Sequence, residues 1–373
     1  MLSPPELRAL RLHSLLLGPD GAAGRSIPDV VTWFGAMQAQ DLASAAWSLG
    51  LRTGTSRAQV DAALSTGAVL RTWPMRGTLH LVPGPDARWM IEHLGRRSLE
   101  QAEPRRTFLG FDLAHAQRAA ALLGDALADG EPWPRSACLA ALEAAGVDTR
   151  GSRGYHLLWF ASATGVLCVG PNLGKEQSFV LLDRWAPEQV QRDRPAALAT
   201  IAGRFVRSHG PVTAHDLARW ADLTVTDARA GLAAAPGLVG CTDGDGRRLV
   251  ATEAALDALT QQGTEFWRDL PAHALPGFDE LVLGYRDRTA QLDKDHEALV
   301  VPGGNGVFYN TLVVAGRVVG TWRRKVLTRR VELTATPFVP ISTPSRRALS
   351  TALTRYAEYL GLPGSITWTD TTS

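Results

Sequence analysis

The chain has few cysteines and no long apolar run, and each shortage excludes a class of protein. Cys138, Cys168 and Cys241 lie 30 and 73 residues apart, so the sequence has no CxxC pair and no zinc-finger spacing. An odd and sparse cysteine count is typical of a reduced cytoplasm and not of secretion. The charged N-terminus lacks the apolar core of a signal peptide, and no stretch approaches the ~20 apolar residues of a membrane-spanning helix. We therefore expect a cytoplasmic protein without a membrane partner.

Several sequence motifs of cofactor and metal enzymes are also missing. No HExxH pair is present, and the scattered histidines do not form pairs at helix spacing. The run Gly303-Gly304-Asn305-Gly306 has neither GxGxxG spacing nor the lysine of a nucleotide loop. No GxSxG elbow occurs, which leaves a serine hydrolase unsupported. We expect no metal and no cofactor.

What is present is the composition of an ordinary globular protein. The 373 residues suggest two or three domains of ~100–200 residues each. Apolar residues make up 45% of the chain and charged residues 20%, enough to bury a core. This composition excludes a disordered, collagen-like or disulfide-rich chain.

The net charge is only +2, but one segment is strongly basic. Residues 311–350 contain eight cations and one anion, Glu332. The cations are Arg317, Arg323, Arg324, Lys325, Arg329, Arg330, Arg346 and Arg347. A basic stripe on a nearly neutral protein indicates a polyanion partner, or else a solvated strand face.

The order of predicted elements repeats along the chain. Residues 113–182 read as three helices followed by a two-stranded hairpin, which is the plan of a winged helix. The same plan recurs at 195–252, where Thr213 is expected to cap the second helix. Residues 5–83 follow it less tidily, with one helix predicted over 28–51 and a hairpin turning at Arg76-Gly77.

The region after residue 264 changes character. Strands are predicted over 280–287, 306–316, 317–324 and 331–338, with a closing helix over 344–359. The sequence thus predicts an α+β fold, mainly α, of three tandem winged helices and a C-terminal β-rich portion. The predicted domains are winged helix 1 (1–110), winged helix 2 (111–190), winged helix 3 (191–264) and the β-rich portion (265–373).

Three polar segments interrupt the apolar pattern. The first is Gln38-Ala39-Gln40-Asp41, placed by periodicity inside an otherwise apolar helix. Its glutamines are either functional or hydrogen-bonded to a neighbouring loop. The second runs from Arg71 to His80 and is either a hairpin that meets nucleic acid or an ordinary turn around a core tryptophan. The third, 277–288, alternates Arg286, Asp287 and Arg288, as a surface ion-pair ladder or a phosphate site.

Together these segments resemble the winged-helix DNA glycosylases of the AlkZ-like family, which remove bulky alkylated purines in bacteria. The resemblance runs from about residue 5 to 365. The motifs that carry it are MQAQD (37–41), RTWPMRGTLHLV (71–82), PGFDELVLGYRDR (276–288) and VVGTWR (318–323). The family fold it implies has three winged helices and a C-terminal β-rich portion, in agreement with the repeat.

The resemblance implies that Gln38 and Gln40 are catalytic, because they fill the two positions of the family's Q-x-Q motif. The branch of the family that carries the Q-x-Q motif is linked to self-resistance against DNA-alkylating natural products. A neutral glutamine cannot take a proton, but two amides can hold a water that attacks the sugar. This suffices for a cationic leaving group such as N7-alkylguanine. We therefore expect a monofunctional glycosylase for bulky cationic N7-alkylguanine lesions, with crosslinks as a further substrate.

The expected partner is double-stranded DNA carrying alkylated purines, bound by a cytoplasmic, nucleoid-associated monomer. The matching motifs and the basic stripe supply the expected DNA contacts, which are Arg71, Arg76, His80, Arg286, Arg288, Asn305 and Arg323. Asp41 either places a charge near the sugar or caps the following helix. Two other functions stay open, a winged-helix transcription regulator and a protein that only sequesters the drug. Exposure of Gln38 and Gln40 would favour the glycosylase.

Overall fold

A computed structural model describes residues 1–304 and 306–371. With 49% helix and 18% strand, the chain has the predicted α+β, mainly α, fold. It forms two compact units. We call them the terminal unit, which is Met1–Phe34, Asp41–Asp61 and Leu198–Ser373, and the middle unit, which is Gly35–Gln40 and Ala62–Ala197.

The middle unit consists of helices and one six-stranded sheet. Its helices are Ala87–Leu94, Arg96–Glu100, Glu103–Leu109, Leu113–Ala126, Arg135–Ala144, Arg153–Ala163 and Leu182–Trp185. Its strands, in sheet order, are Met37–Gln38, Thr78–Pro83, Val69–Met75, Leu167–Val169, Ser178–Leu181 and Trp133–Pro134. All neighbouring pairs are antiparallel. The hairpins of predicted winged helices 1 and 2 thus share one sheet.

The core of the middle unit lies between that sheet and the longer helices. Trp73 from the sheet packs in one apolar cluster with Leu123 of helix Leu113–Ala126 and Phe160 of helix Arg153–Ala163. Asp112 begins the first of these helices, because its carboxylate accepts a hydrogen bond from the His115 backbone N–H at 2.8 Å.

The terminal unit contains the remaining elements. Its helices are Pro4–Ser14, Ile27–Phe34, Leu42–Thr53, Ala214–Ala221, Val225–Ala234, Glu253–Gln262, Glu265–Arg268, Glu280–Leu283, Glu297–Val300 and Thr343–Leu360. Two further helices, Arg57–Ala63 and Arg194–His209, contain points at which the chain passes from one unit to the other. Thr213 and Asp216 form the capping box of helix Ala214–Ala221, which confirms the predicted cap.

Two sheets complete the terminal unit. The strands of the five-stranded sheet, in order, are Gly364–Trp368, Val331–Pro337, Arg317–Val326, Thr311–Val314 and His273–Leu275. Strands Leu238–Thr242 and Arg248–Thr252 form a separate hairpin. Trp322 of the larger sheet packs edge-on against Tyr356 of helix Thr343–Leu360, which in turn contacts Trp47. This aromatic contact joins the sheet to helix Leu42–Thr53.

The single helix predicted over 28–51 is wrong. Helix Ile27–Phe34 ends at Gly35, whose φ of 82° is readily reached only without a side chain. Met37 and Gln38 then form a strand opposite Leu81 and His80, and a new helix begins after Asp41. The apolar spacing of this segment fits a helix, but pairing with a strand 40 residues away determines its structure.

The strand predicted over 280–287 is also wrong. Asp279 accepts a hydrogen bond from the Leu281 backbone N–H at 3.1 Å and so begins the short helix Glu280–Leu283. Only Thr311–Val314 of the strand predicted over 306–316 is extended in a sheet. The other two strands of this region and its closing helix are confirmed.

The cysteines do not form disulfides. Cys138 and Cys168 are completely buried, and Cys241 is half-buried. Among the described helices, none combines the length and apolar character required to cross a membrane.

Candidate active site

The Gln38-Ala39-Gln40 segment lies along the edge of the middle unit's sheet. Gln38 is directly opposite His80, so their side chains share one face of the sheet. The Ala39 backbone N–H donates to the Leu79 carbonyl at 2.8 Å. From the other side, Arg71 Nε donates to the Ala39 carbonyl at 3.1 Å. The backbone between the two glutamines is therefore held on both its polar groups.

Both glutamine side chains are anchored through their oxygens. Gln38 Oε1 accepts a hydrogen bond from the Gln40 backbone N–H at 3.3 Å, and Gln40 Oε1 accepts one from the Leu79 backbone N–H at 3.2 Å. Among the described residues of the middle unit, neither Nε2 has an acceptor. Each amide thus keeps two N–H donors and a second lone pair on its oxygen.

The two glutamines differ in exposure. The exposure that would favour the glycosylase is found for Gln40 but not for Gln38, which is only 9% exposed. Neither Nε2 is fully enclosed, so both amides can be reached from outside the protein. The pair can therefore offer donors and acceptors to a bound water or sugar without first breaking a bond within the protein.

His80 is completely buried and holds Arg76. Arg76 Nη2 lies 2.8 Å from His80 Nε2, and His80 Nδ1 lies 2.9 Å from the Thr78 carbonyl oxygen. Because a guanidinium can only donate, Nε2 accepts and Nδ1 carries the proton. Burial first, and the charge of Arg76 second, lower the pKa of His80 well below 6.5. As a DNA contact, His80 would therefore act through Arg76.

Arg76 occupies the turn of the predicted hairpin, which is confirmed. Arg76 and Gly77 have φ values of 56° and 63°, the left-handed conformation that a tight two-residue hairpin turn requires at both positions. An arginine in this conformation is unfavourable by about 1–2 kcal/mol. Glycine or asparagine would adopt this conformation at a lower energetic cost than Arg76 does.

Asp41 caps the helix that follows the glutamines. Its carboxylate accepts hydrogen bonds from the Ala43 backbone N–H at 3.0 Å and from Ser44 Oγ at 2.7 Å. Arg324 Nη2 donates to the same carboxylate at 3.3 Å, and its guanidinium lies over the Tyr356 ring at 5.6 Å. Of the two roles considered for Asp41, the structure supports the helix cap.

The basic stripe divides into paired and exposed cations. Arg317 pairs with Asp293 and Arg324 with Asp41. Lys325 and Arg330 both approach Glu332, whose pKa is lowered chiefly by the hydrogen bond from Arg330. Arg323 is exposed on strand Arg317–Val326, on the same side of the strand as Lys325.

The predicted contacts near residue 286 are only partly accessible. Arg286 is exposed, and its backbone N–H donates to Asp216 Oδ1 at 2.7 Å. Arg288 is 10% exposed at its side chain and donates to Glu297 and to the Val282 carbonyl. The Arg288 guanidinium is thus engaged within the chain. Asn305 lies outside the described residues.

A metal centre has no set of ligands in the part of the chain that the structure describes. No group of three or more His, Cys, Asp or Glu side chains there could hold a metal ion.

Sequence reasoning missed the pairing of Arg324 with Asp41, because the two residues are 283 positions apart and no local pattern joins them.

A family model described as "DNA glycosylase AlkZ-like" matches residues 31–359. A curated protein from Streptomyces sahachiroi, "Interstrand DNA cross-link repair glycosylase", is 26% identical over 335 residues, which cover 84% of this chain and 85% of that protein. The solved structure of Streptomyces sahachiroi DNA glycosylase AlkZ is similar with a TM-score of 0.80 at 23% identity. That match covers 98% of this chain and 100% of the other, and at this identity it supports the fold alone.

Proposed function

Since the chain belongs to the AlkZ-like DNA glycosylase family, we propose that it is a monofunctional glycosylase that excises bulky cationic N7-alkylguanine from double-stranded DNA. The observation that most supports this is the pair of amides at Gln38 and Gln40. Their oxygens are anchored to backbone N–H groups, and their Nε2 donors have no acceptor among the described residues of the middle unit.

In the proposed mechanism, Gln38 and Gln40 hold and orient the attacking water. Each amide can donate to the water oxygen and accept from a water proton through its second lone pair. Positive charge that develops on the sugar is stabilised by the same carbonyl dipoles. Neither glutamine takes the proton that the attacking water must lose, because an amide is very weakly basic at pH 7, so that proton passes to solvent water.

The substrate must then supply its own leaving-group activation. An N7-alkylguanine carries a positive charge on the base, so it departs neutral when the glycosidic bond breaks. Uracil and 8-oxoguanine would depart as anions, and proton donation by a general acid is worth about 10²–10⁴-fold in rate. We expect these neutral lesions to be released at least ~100-fold more slowly than cationic purines.

The proposal of a monofunctional enzyme is supported by the scarcity of lysine. Covalent strand cleavage uses an amine that forms a Schiff base with the sugar. No lysine lies in residues 1–110, and the middle unit contains only Lys175, in the loop between strands Leu167–Val169 and Ser178–Leu181. The expected product is an intact strand with an abasic site.

DNA backbone contacts are proposed for Arg76, Arg286 and Arg323. Arg76 is held at a hairpin turn by neutral His80, and the other two are exposed. Arg71 and His80 are proposed to position the Q-x-Q segment and Arg76. Interstrand crosslinks between two N7-alkylguanines are a further proposed substrate, in view of the name of the curated relative, and a role in self-resistance to an alkylating natural product is proposed with them.

The test is base release from duplex DNA that contains one N7-methylguanine, detected as strand cleavage after alkaline treatment. Parallel duplexes carry a bulky N7 adduct, an N7–N7 crosslink, uracil or 8-oxoguanine. The double variant Gln38→Ala/Gln40→Ala should lose at least ~100-fold in rate and keep its DNA affinity. Gln117→Ala, an exposed glutamine on helix Leu113–Ala126, is the matched control and should retain full activity.

Three outcomes would contradict the proposal. Full activity of the double variant would remove the glutamines from the mechanism. Release of uracil as fast as N7-methylguanine would require a general acid that this mechanism lacks. Tight DNA or drug binding without base release would favour a regulator or a sequestering protein.

A further inference from the structure

Three arginines are buried in the part of the chain that the structure describes, and one of them lacks any partner there. Arg11, Arg52 and Arg106 are 5%, 4% and 7% exposed. Arg11 donates to Gln291 Oε1 at 2.7 Å, and Arg52 donates to both oxygens of Asp279 at 2.9 and 3.1 Å. Within residues 1–304 and 306–371, Arg106 makes no side-chain hydrogen bond or ion pair, and its Nη1 is inaccessible to solvent.

Arg106 lines a cleft of about 510 Å³ in the middle unit. The cleft, here named the Arg106 cleft, is formed by residues between Glu103 and Leu113 and includes Thr107, Gly110 and Phe111. Glu103 and Asp112 also line it. The Asp112 carboxylate is occupied as the cap of helix Leu113–Ala126, and Glu103 is exposed in the first turn of its own helix. Among the described residues, neither acid forms an ion pair or a hydrogen bond with Arg106.

A second arginine and a buried histidine lie near Arg106. Arg105 lies beside it on helix Glu103–Leu109, and the buried His156 feels both cations. Burial first, then Arg106 and Arg105, lower the pKa of His156 to about 4, so its ring is neutral near pH 7. His156 Nε2 is buried without a partner, and its ring packs against Phe111 at 5.6 Å. Arg106 therefore lies near a second cation, a neutral histidine and an apolar ring, and the carboxylates of Glu103 and Asp112 line the same cleft without bonding to it.

A buried and uncompensated guanidinium is strongly unfavourable, and a bound anion would remove that penalty. The planar fork of arginine matches phosphate oxygens, which accept two parallel hydrogen bonds. The volume exceeds what a phosphate ion alone fills, and Phe111 and Leu113 offer apolar surface beside the charge. Phe108, on the same helix, is 78% exposed and lies under Arg105 at 5.2 Å.

We propose that the Arg106 cleft is a phosphate-binding site, for a phosphodiester of a DNA strand or for free phosphate. Arg106 would donate to two phosphate oxygens through Nε and Nη2, since Nη1 is enclosed, and the Thr107 hydroxyl would be available to a third oxygen. The DNA source rests on the proposed function, whereas the phosphate chemistry does not. The site is in the middle unit and uses none of the residues assigned to catalysis.

The test measures binding to the full chain, without base release. Inorganic phosphate is titrated at constant ionic strength, held with sodium chloride, and followed by calorimetry. Undamaged duplex DNA is titrated in a second arm. Arg106→Gln should weaken phosphate binding by about 10- to 100-fold, the range for loss of a charged hydrogen-bond donor. Arg106→Lys should keep part of the affinity, and Arg105→Gln, an exposed neighbour of equal charge, should keep nearly all of it.

The two arms separate the two sources of phosphate. A weaker duplex affinity of Arg106→Gln, with a salt slope lower by about one, would assign a DNA phosphodiester. Unchanged duplex affinity with weaker phosphate binding would assign a free phosphate group. Equal binding of both ligands by wild type and Arg106→Gln would overturn the proposal. Circular dichroism establishes folding, and if Arg106→Gln does not fold, the same comparison is made with Arg106→Lys. Loss of base release alone would concern only the proposed function.

Discussion

Arg52 and Arg106 are equally buried, yet their surroundings are opposite. Arg52 donates to the Leu15 carbonyl, to Ser48 and to both oxygens of Asp279, and Asp279 also accepts from Ser48 Oγ. Arg106 lines a cleft and makes no side-chain hydrogen bond or ion pair among the described residues. The difference between the two arginines lies in whether the donors of the buried guanidinium are used within the chain. One whose bonds are complete within the chain stabilises the fold, and one with unused donors is available to a ligand.

Replacing the partner of Arg52 should have the largest effect on stability. Asp279→Ala would leave a buried guanidinium without its counter-charge, at a cost of about 3–5 kcal/mol in the free energy of unfolding. Urea denaturation measures this. Asp61→Ala, which removes an exposed ion pair of the same unit, should change it by at most ~1 kcal/mol.

Arg106→Gln provides the contrasting case. Because Arg106 has no partner to lose, we expect its removal in phosphate-free buffer to leave the free energy of unfolding within about 1 kcal/mol of wild type, or to raise it. A loss as large as that of Asp279→Ala would erase the distinction between the two arginines.

The regions around Asp279 and His156 should lose stability in different pH ranges. Burial raises the pKa of Asp279, but Arg52 overcomes this and holds it below its ordinary value, so that region loses stability only as the pH falls below about 4. His156, with a pKa of about 4 when folded, takes up its proton near pH 6.5 in the unfolded chain. Its neutral form thus contributes stability above pH 6.5, which is lost as the pH falls toward 4.

His156→Gln should therefore flatten the dependence of stability on pH between 6.5 and 4. The expected reduction in slope is up to about 1.4 kcal/mol per pH unit, measured by urea denaturation at a series of pH values. His115→Gln, a half-buried histidine of the same unit, serves as the control. An unchanged slope in His156→Gln would mean that His156 is protonated in the folded protein.

Asp41 lies next to the glutamines, but its hydrogen bonds are complete within the chain. We therefore expect it to stabilise the fold and not to take part in the chemistry. Asp41→Ala should cost about 1 kcal/mol in the free energy of unfolding, as for loss of a helix cap, and reduce kcat less than tenfold. Asp112→Ala, which removes the cap of helix Leu113–Ala126, is the matched variant. A loss of kcat as large as that of the Gln38→Ala/Gln40→Ala variant would make Asp41 part of the chemistry.

The smallest expected effect on stability is that of Arg323→Ala, since the side chain is exposed. The free energy of unfolding should change by less than about 0.5 kcal/mol, while the salt slope of duplex binding falls by about one. Arg268→Ala, an exposed arginine outside the basic stripe, should leave the salt slope unchanged. Equal slopes for both variants would make the stripe a solvated face.

The sequence predicts most of the helices, strands and turns that are determined by neighbouring residues. The hairpin of Val69–Met75 and Thr78–Pro83 turns at Arg76-Gly77 as predicted, because its β-rich strands and its turn are visible in the sequence. The single helix predicted over 28–51 is wrong because Gln38 pairs with His80, and no local periodicity reveals that pairing. The predicted domain boundaries at 110, 190 and 264 remain predictions.

The candidate site was accessible to sequence reasoning only through the resemblance to a family. Apolar spacing placed Gln38 and Gln40 inside a helix, whereas the structure has them at a sheet edge. Arg106 could not be found, because helix Glu103–Leu109 reads as an ordinary polar surface helix. Its burial and lack of a partner arise from tertiary packing, which short-range patterns do not encode.

The burial of the cysteines determines how readily an alkylating agent modifies the folded chain. Burial raises the pKa of Cys138 to about 12 and also raises those of Cys168 and Cys241, so the thiolate, which is the nucleophile, is nearly absent at pH 7. An alkylating agent that damages DNA also attacks thiolates. The folded chain should therefore remain unmodified at its cysteines at doses that alkylate them in urea, and so escape the damage that it is proposed to repair.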